Sequence, residues 1–290
     1  MKFEFIAAEK ANYPIQTLCR VLGVSRAGFY ASRDRPESNR SIAARDLAEK
    51  VKAIYGASRR TYGSPRIHAE LVSSGVRVGR NRIIHAMQDG GLVARSRRRY
   101  RATTMSEHDQ PVAANVLDRR FETDAPNAAW VADTTELRIG SSGARMYLAV
   151  VLDLFSRFAV GWAVSAVNDR HLTLKALDMA VRRRRPAPGL IHHSDQGCTY
   201  ASKDYRDALT RHAIVCSMSR RGNCLDNVAM ESWFKTLKAE LGEQFPSYAE
   251  AKADLLDYIE VFYNQKRRHS ALGYVSPAEF ERSAITVVAA

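Results

Sequence analysis

The hydrophobic pattern of this chain changes once along its length, and that change limits the folds open to it. From Ile15 to Met87 the apolar residues recur at helical spacing, whereas from Trp130 to Val164 they fall in strand-length runs. A chain patterned this way folds as a helical unit followed by a mixed α/β unit. In the first unit Ile15, Leu18, Cys19 and Leu22 share a helix face, Gly23 breaks it, and Ser25 can cap a second helix through Phe29 and Tyr30. This is the outline of a helix-turn-helix, whose second helix enters a major groove, and equally of a plain helical hairpin. After the polar stretch 33–40 a helix is expected over 42–55. Pro65 then suits the first turn of another helix ending at Ser73-Ser74-Gly75, and a third spans 78–87 before Gly90-Gly91. Residues 102–126 are polar, carry Pro111 and Pro126, and read as a linker.

The second unit is expected to hold strands over 130–139, 146–153 and 158–164, with Gly140 to Gly143 as a hairpin turn. A helix over 172–184, a strand over 190–194, a helix over 203–211 and a strand over 214–217 follow, and helices over 227–241 and 248–263 complete the order. Antiparallel strands followed by alternating helix and strand give a mixed sheet with helices on its faces. Trp130, Trp162, Trp233, Phe234, Phe262 and Tyr263 are assigned to its core.

Charge separates the two units further. Residues 1–120 carry 23 Lys and Arg against 11 Asp and Glu, while residues 121–290 carry 21 against 20. A basic segment of this kind suits a polyanion, nucleic acid first, although a solvated basic surface gives the same count. Within 51–100 there are 11 basic and 2 acidic residues. Arg80, Arg82, Arg97, Arg98 and Arg99 are the candidate phosphate contacts there. No apolar run is long enough to span a membrane, and the start of the chain lacks a signal-peptide core. The four cysteines, Cys19, Cys198, Cys216 and Cys224, form no C-x-x-C pair and suit reduced thiols.

Three carboxylates sit where structure alone does not ask for them. Asp133 interrupts a strand, Asp195 ends one, and Glu231 opens an amphipathic helix with Lys235 and Lys238 on the same face. Converging, they could hold two divalent ions, with hard oxygen donors favouring Mg²⁺ and admitting Mn²⁺. Singly, each has a plainer reading: a turn-neighbour Asp, or a surface Glu–Lys pair. His193 could orient a ligand, touch DNA, or be structural. The run Arg182–Arg185 reads as a solvated helix end. For Arg267, Arg268 and His269, DNA contact and an internal ion pair stand level.

Trp-x-x-Asp-Thr-Thr, His-His-Ser-Asp-Gln-Gly-x-x-Tyr and Asp-Asn-x-x-x-Glu-Ser-Trp-Phe-Lys-x-Leu-Lys-x-Glu resemble the catalytic domain of insertion-sequence transposases in the retroviral-integrase superfamily. Asp195 and Glu231 are separated by 35 residues, as in that family's Asp-Asp-Glu triad. The stretch Phe262 to Pro277 and the basic helices of 41–100 resemble its C-terminal signature and its helix-turn-helix-like segment. The resemblance implies an α/β, RNase H-like core preceded by an all-α DNA-binding region. Its divisions would be a helix-turn-helix (1–40), a basic helical domain (41–101), a linker (102–126), the catalytic core (127–246) and a helical extension (247–290). It also implies catalytic, metal-ligating Asp133, Asp195 and Glu231, two Mg²⁺ ions replaceable by Mn²⁺, and DNA contacts from Lys235 and Lys238. Expected partners are the element's terminal inverted repeats, target DNA and a second copy of the chain. Fusion to the product of an upstream frame, and a bacterial cytoplasmic, nucleoid-associated location, complete the expectation. The tract Ser219 to Asn227 is expected to be a loop that orders on DNA. A nuclease that only cuts, and a non-catalytic DNA-binding regulator, are the rival readings.

Overall fold

The structure is a computed structural model that describes residues 2–34, 36–95, 110–141, 143–220 and 224–288. Three short helices come first: α1 (Lys2–Glu9), α2 (Ile15–Val21) and α3 (Arg26–Asp34). They close on a small core of their own, Ile6, Leu18, Cys19 and Phe29. The Ser25 hydroxyl accepts from Gly28 N at 2.9 Å, as a cap should. Sequence reading leaves α1 unassigned, because it buries a single side chain, Ile6, and shows no periodicity.

The next helices are α4 (Asn39–Ala57), α5 (Ser64–Ser73) and α6 (Arg80–Asp89). Ser38 caps α4 through Ser41 N at 3.2 Å, and Pro65 stands in the first turn of α5. Residues 110–128 form no helix or strand, yet they lie against the core. The Ser217 hydroxyl accepts from Val116 N at 2.9 Å and Leu117 N at 3.1 Å, and the Leu117 side chain is buried.

The sheet is built from β1 (Ala129–Ile139), β2 (Ala144–Asp153), β3 (Ala159–Ser165), β4 (Ile191–Ser194), β5 (Val215–Met218) and the two-residue β6 (Gln244–Phe245). Its order is β3-β2-β1-β4-β5, with β6 beside the far end of β1. The β1–β2 and β2–β3 pairs are antiparallel, while β4 runs parallel to β1 and β5 parallel to β4. Between the strands run α7 (Arg170–Arg184), α8 (Cys198–Ala201), α9 (Lys203–Arg211) and α10 (Val228–Glu240), and after them α11 (Tyr248–Leu256) and α12 (Pro277–Val288). The expected helix over 248–263 begins as α11 and continues as a π-helical turn, Asp257–Tyr263.

Alternation along β1 sorts the two faces. Trp130 and Ala132 pack with α7, α8 and α9, while Val131 and Leu137 join the cluster that holds Met230, Trp233 and Leu237 of α10. That second cluster is continuous with Leu47, Val51, Ile67, Leu71, Ile83 and Met87, so α4–α6 share a core with the sheet. α7 lies so close to β3 that a Cβ on Gly161 would stand 2.2 Å from Ala176 O. Only a glycine permits that approach.

The reading of Arg182–Arg185 is corrected here, and the level alternatives for Arg267 resolve to the internal ion pair. Arg183 bonds Glu260 at 2.8 Å and Arg184 bonds Glu281 at 2.7 Å, its guanidinium also lying over the Phe158 ring, so this helix end is pinned to the C-terminal segment and is not simply solvated. Arg267 is buried, with Nε 2.8 Å from Glu240 Oε2 and Nη2 2.7 Å from Glu240 Oε1, and Tyr258 donates to the same carboxylate at 2.8 Å. Burial opposes the Arg267 charge, but the Glu240 hydrogen bonds and charge outweigh it and hold the guanidinium above its ordinary value.

Candidate active site

β1 loses its strand neighbour partway along, and Asp133 stands there within electrostatic reach of Asp195 and Glu231. The parallel ladder with β4 pairs Ala129 with Ile191, Trp130 with His192 and Val131 with His193, and no strand flanks that edge again until Arg138 meets β6 among the described residues. Asp133 stands two residues beyond Val131 and Asp195 two beyond His193, the last pair of that ladder. By alternation Asp133 lies on the α10 face. The open edge also explains how a strand interior tolerates a carboxylate.

Glu231 enters from α10. Met230, Trp233, Phe234 and Leu237 are buried, which turns Glu231, Lys235 and Lys238 to the opposite side of the helix. Lys235 Nζ stands 3.2 Å from Glu231 Oε2, and Lys238 Nζ 4.0 Å from Glu243 Oε2. Burial lowers the Lys238 ammonium from its ordinary value. Asp133 Oδ1 accepts from Thr134 N at 2.7 Å, and exposed Asp195 accepts from Gly197 N at 2.9 Å. Gly197 permits that turn, because a Cβ there would stand 2.9 Å from the Asp195 carboxylate.

Burial drives the Asp133 carboxyl well above the usual carboxylate range, and the Asp195 charge, then that of Glu231, push it the same way. The three acids are therefore electrostatic neighbours. Among the described residues no three His, Cys, Asp or Glu side chains stand close enough to form a metal centre in this conformation. Glu231 is turned toward Lys235, and Asp195 toward its own loop.

The neighbouring polar residues are structural. His193 is fully buried, with Nδ1 2.9 Å from Ser217 Oγ and Nε2 3.1 Å from Ser219 Oγ. Burial pushes its pKa down to about 4. The expectation of a DNA contact at His193 is corrected: the ring is neutral, satisfied and out of reach. His192, on the other face, meets Tyr205 at 3.0 Å, and burial lowers it to about 3. Asp226 is also buried. Its carboxylate accepts from Arg220 Nε at 2.9 Å, Arg119 Nε at 2.8 Å and Asn115 Nδ2 at 3.0 Å, and the Arg220 bonds hold it well below its ordinary value.

Arg268 is corrected in the same way. Its guanidinium bonds Glu70, Ser73 Oγ at 2.7 Å and Tyr274 O at 2.7 Å, and its amide donates to Tyr62 at 2.7 Å. It ties α5 to the C-terminal segment. Arg80 and Arg82 are exposed on α6, as a DNA contact requires. Arg97, Arg98 and Arg99 lie outside the described residues, as do Arg221, Gly222 and Asn223 of the loop expected to order on DNA.

Sequence reasoning missed Tyr200 and Asn227. The Tyr200 hydroxyl lies 3.2 Å from Thr134 Oγ1, under Asp133. Asn227 donates from Nδ2 to Ala132 O at 3.3 Å, joining the start of α10 to the open edge of β1. Both stand within the quoted motifs, and Asn227 lies one helical turn before Glu231, so spacing held the signal.

A sheet of this order with helix-turn-helix-like helices ahead of it defines a protein with an integrase core, RNase H-like in fold. The Integrase core domain family matches residues 123–224 and, in a second form, residues 212–277, and the HTH-like domain family matches residues 43–100. The catalytic core domain of HTLV-2 integrase, in complex with magnesium, is similar with a TM-score of 0.43 and 16% identity over 54% of this chain and 97% of that one. The chain is 37% identical to the transposase InsF for insertion sequence IS3A of Escherichia coli (strain K12), over 97% of this chain and 98% of that protein. It is 41% identical to an uncharacterized 31 kDa protein of insertion element IS600 of Shigella sonnei, over 91% of this chain and 97% of that one. The chain belongs to the family of insertion-sequence transposases. No helix among the described residues is long and apolar enough to cross a membrane.

Proposed function

We propose that the protein moves an insertion sequence by binding the element's ends through its basic helices and cutting and rejoining DNA phosphodiesters with Asp133, Asp195 and Glu231. The observation that supports this reading is at Asp133, on β1 just beyond the end of the β4 ladder: the charges of Asp195 and Glu231, from distant parts of the sequence, both raise its carboxyl, so the three acids are electrostatic neighbours.

The donor set fits divalent metal: three carboxylates supply hard oxygens, and their mutual repulsion at Asp133 is what a bound cation would relieve. Two Mg²⁺ ions, or Mn²⁺ in their place, would activate water or a DNA 3′-hydroxyl on one side of the phosphate and stabilise the leaving oxygen on the other. Glu231 reaches this task by leaving Lys235, a partly exposed i,i+4 pair worth about 0.3–0.5 kcal/mol, which cation binding outweighs. Lys235 is then released toward the DNA backbone, with Lys238 beside it on the same face. Arg80 and Arg82 add sequence-independent affinity that falls with salt.

Joining two ends calls for at least two copies of the chain. Activity alone or as a fusion to an upstream-frame product is decided by comparing the two forms in one transposition assay. The central test offers the protein labelled element ends and a plasmid target with Mg²⁺. Joined products that vanish in Asp195→Asn and Glu231→Gln, with DNA binding kept, support the reading. Cleavage without joining would leave only a nuclease, and unchanged chemistry in both variants would remove these side chains from the mechanism.

A further inference from the structure

Asn227 stands at the N-cap of α10, where an Asn side chain ordinarily accepts from the second or third helical amide. Here it makes no such bond. Its amide turns away from the helix to the strand, and Nδ2 donates to Ala132 O, just past the end of the β1–β4 ladder. The carbonyl partner fixes which end of the amide is nitrogen, because the flipped form would set two oxygens against each other. The residue is 6% exposed, and its Oδ1 is buried with no hydrogen-bond partner among the described residues. A buried acceptor without a partner is costly, and a donor arriving with a ligand would relieve that cost.

Its surroundings say which. Ala132 precedes Asp133, and Glu231 lies one turn along α10 on the same face as Asn227, so the orphaned oxygen belongs to a residue that bridges the two elements bearing those acids. We infer that Asn227 is a positioning residue of the metal site: Nδ2 docks α10 on the open edge of β1, and Oδ1 supplies a neutral oxygen acceptor to the hydrated divalent cation. This rests on the carboxylate reading above. Mg²⁺ keeps several waters when protein-bound, so an acceptor beside the carboxylates finds donors there only when the cation is present. A neutral oxygen also adds no fourth charge to three acids that already repel one another.

The test is Mn²⁺ binding to the DNA-free full chain, followed by the loss of the free-ion signal in electron paramagnetic resonance, with the melting temperature recorded for each variant. Asn227→Ala is expected to weaken Mn²⁺ binding by about 10- to 100-fold at a temperature where it stays folded, as loss of an outer-sphere partner does. Asn227→Asp keeps an oxygen but loses the Nδ2 donor, so it should melt lower without metal yet bind Mn²⁺ at least as tightly as the parent. If the alanine variant does not fold, the aspartate variant decides alone, and weakened Mn²⁺ binding there overturns the inference. Parent-like binding in Asn227→Ala overturns it too, since a helix-docking role by itself moves the melting temperature only. Asp195→Asn is the control: if that variant loses Mn²⁺ while Asn227→Ala does not, the Asn227 role fails and the carboxylate reading survives. If neither loses it, the carboxylate reading itself fails.

Discussion

Replacing Glu240 by Gln tests the buried Arg267 pair without changing its shape. Arg267 is 2% exposed, and both of its bonds to Glu240 lie below 3 Å, so the guanidinium has no route to water. With the carboxylate gone, a buried cation is left facing a neutral amide. Breaking such a pair from one side costs about 3–5 kcal/mol, because the charge that remains is uncompensated. In a chain this size that corresponds to a fall in melting temperature of roughly 6–20 °C, taking about 2–4 °C per kcal/mol. Urea unfolding at neutral pH, followed by far-ultraviolet circular dichroism, would measure it in Glu240→Gln, Arg267→Met and the double variant. Each single change should cost several kcal/mol, and the double should cost less than their sum by about 1–3 kcal/mol. Strict additivity would refute the pair. So would an Arg267→Met protein that keeps its stability but loses DNA affinity, since that residue would then be a DNA contact.

Four further outcomes follow from the geometry. Gly161→Ala should destabilise by about 1–3 kcal/mol or prevent folding, because the new methyl meets the Ala176 and Ala180 backbone at 2.2 Å and 2.7 Å; parent-like melting would show that α7 can retreat. Asp195→Asn should raise the melting temperature of metal-free protein slightly, since one of the charges opposing Asp133 is removed while solvent screens the exposed Asp195; a fall would mean that the acids do not repel. His192 and His193, lowered to about 3 and about 4, bind fewer protons folded than unfolded, where the value is near 6.5. Their stabilising contribution is whole above pH 6.5 and is lost as pH falls toward 4, so denaturant midpoints should drop over that window and drop less steeply in His192→Gln; equal slopes would remove His192 as the source. Arg80→Ala with Arg82→Ala should weaken binding to any DNA and make log affinity against log salt shallower by about 1–2, whereas an unchanged slope would place α6 away from the phosphates.

Much of the candidate site was legible because its residues break local rules. A carboxylate within Val131-Ala132-Asp133 defeats strand patterning, and the face shared by Glu231, Lys235 and Lys238 needs only helical geometry. The strands and most helices followed from periodicity. What was hidden depends on partners remote in sequence: Arg183 meets a residue 77 positions on and Arg184 one 97 positions on, and nothing in a run of arginines announces that. Likewise β6 spans two residues, too few for any pattern, and exists because β1 offers it an edge. Asn227 stands in the quoted Asp-Asn-x-x-x-Glu motif, but only the structure shows that its amide reaches across to Ala132 O beyond the end of the β4 ladder.

The apolar seam running from Leu47 through the sheet to Tyr263 has a bearing on how this enzyme can evolve. A reader of DNA ends mounted on a tether could be exchanged among mobile elements like a plug, leaving the cutting machinery untouched. Here the side chains of α4–α6 complete the packing beneath α10 and the π-helical turn, so a foreign reader would open a hole under the helix that carries Glu231. On the proposed function, changes in DNA recognition would arise by substitutions on the outward surface of those helices, with the shared core kept.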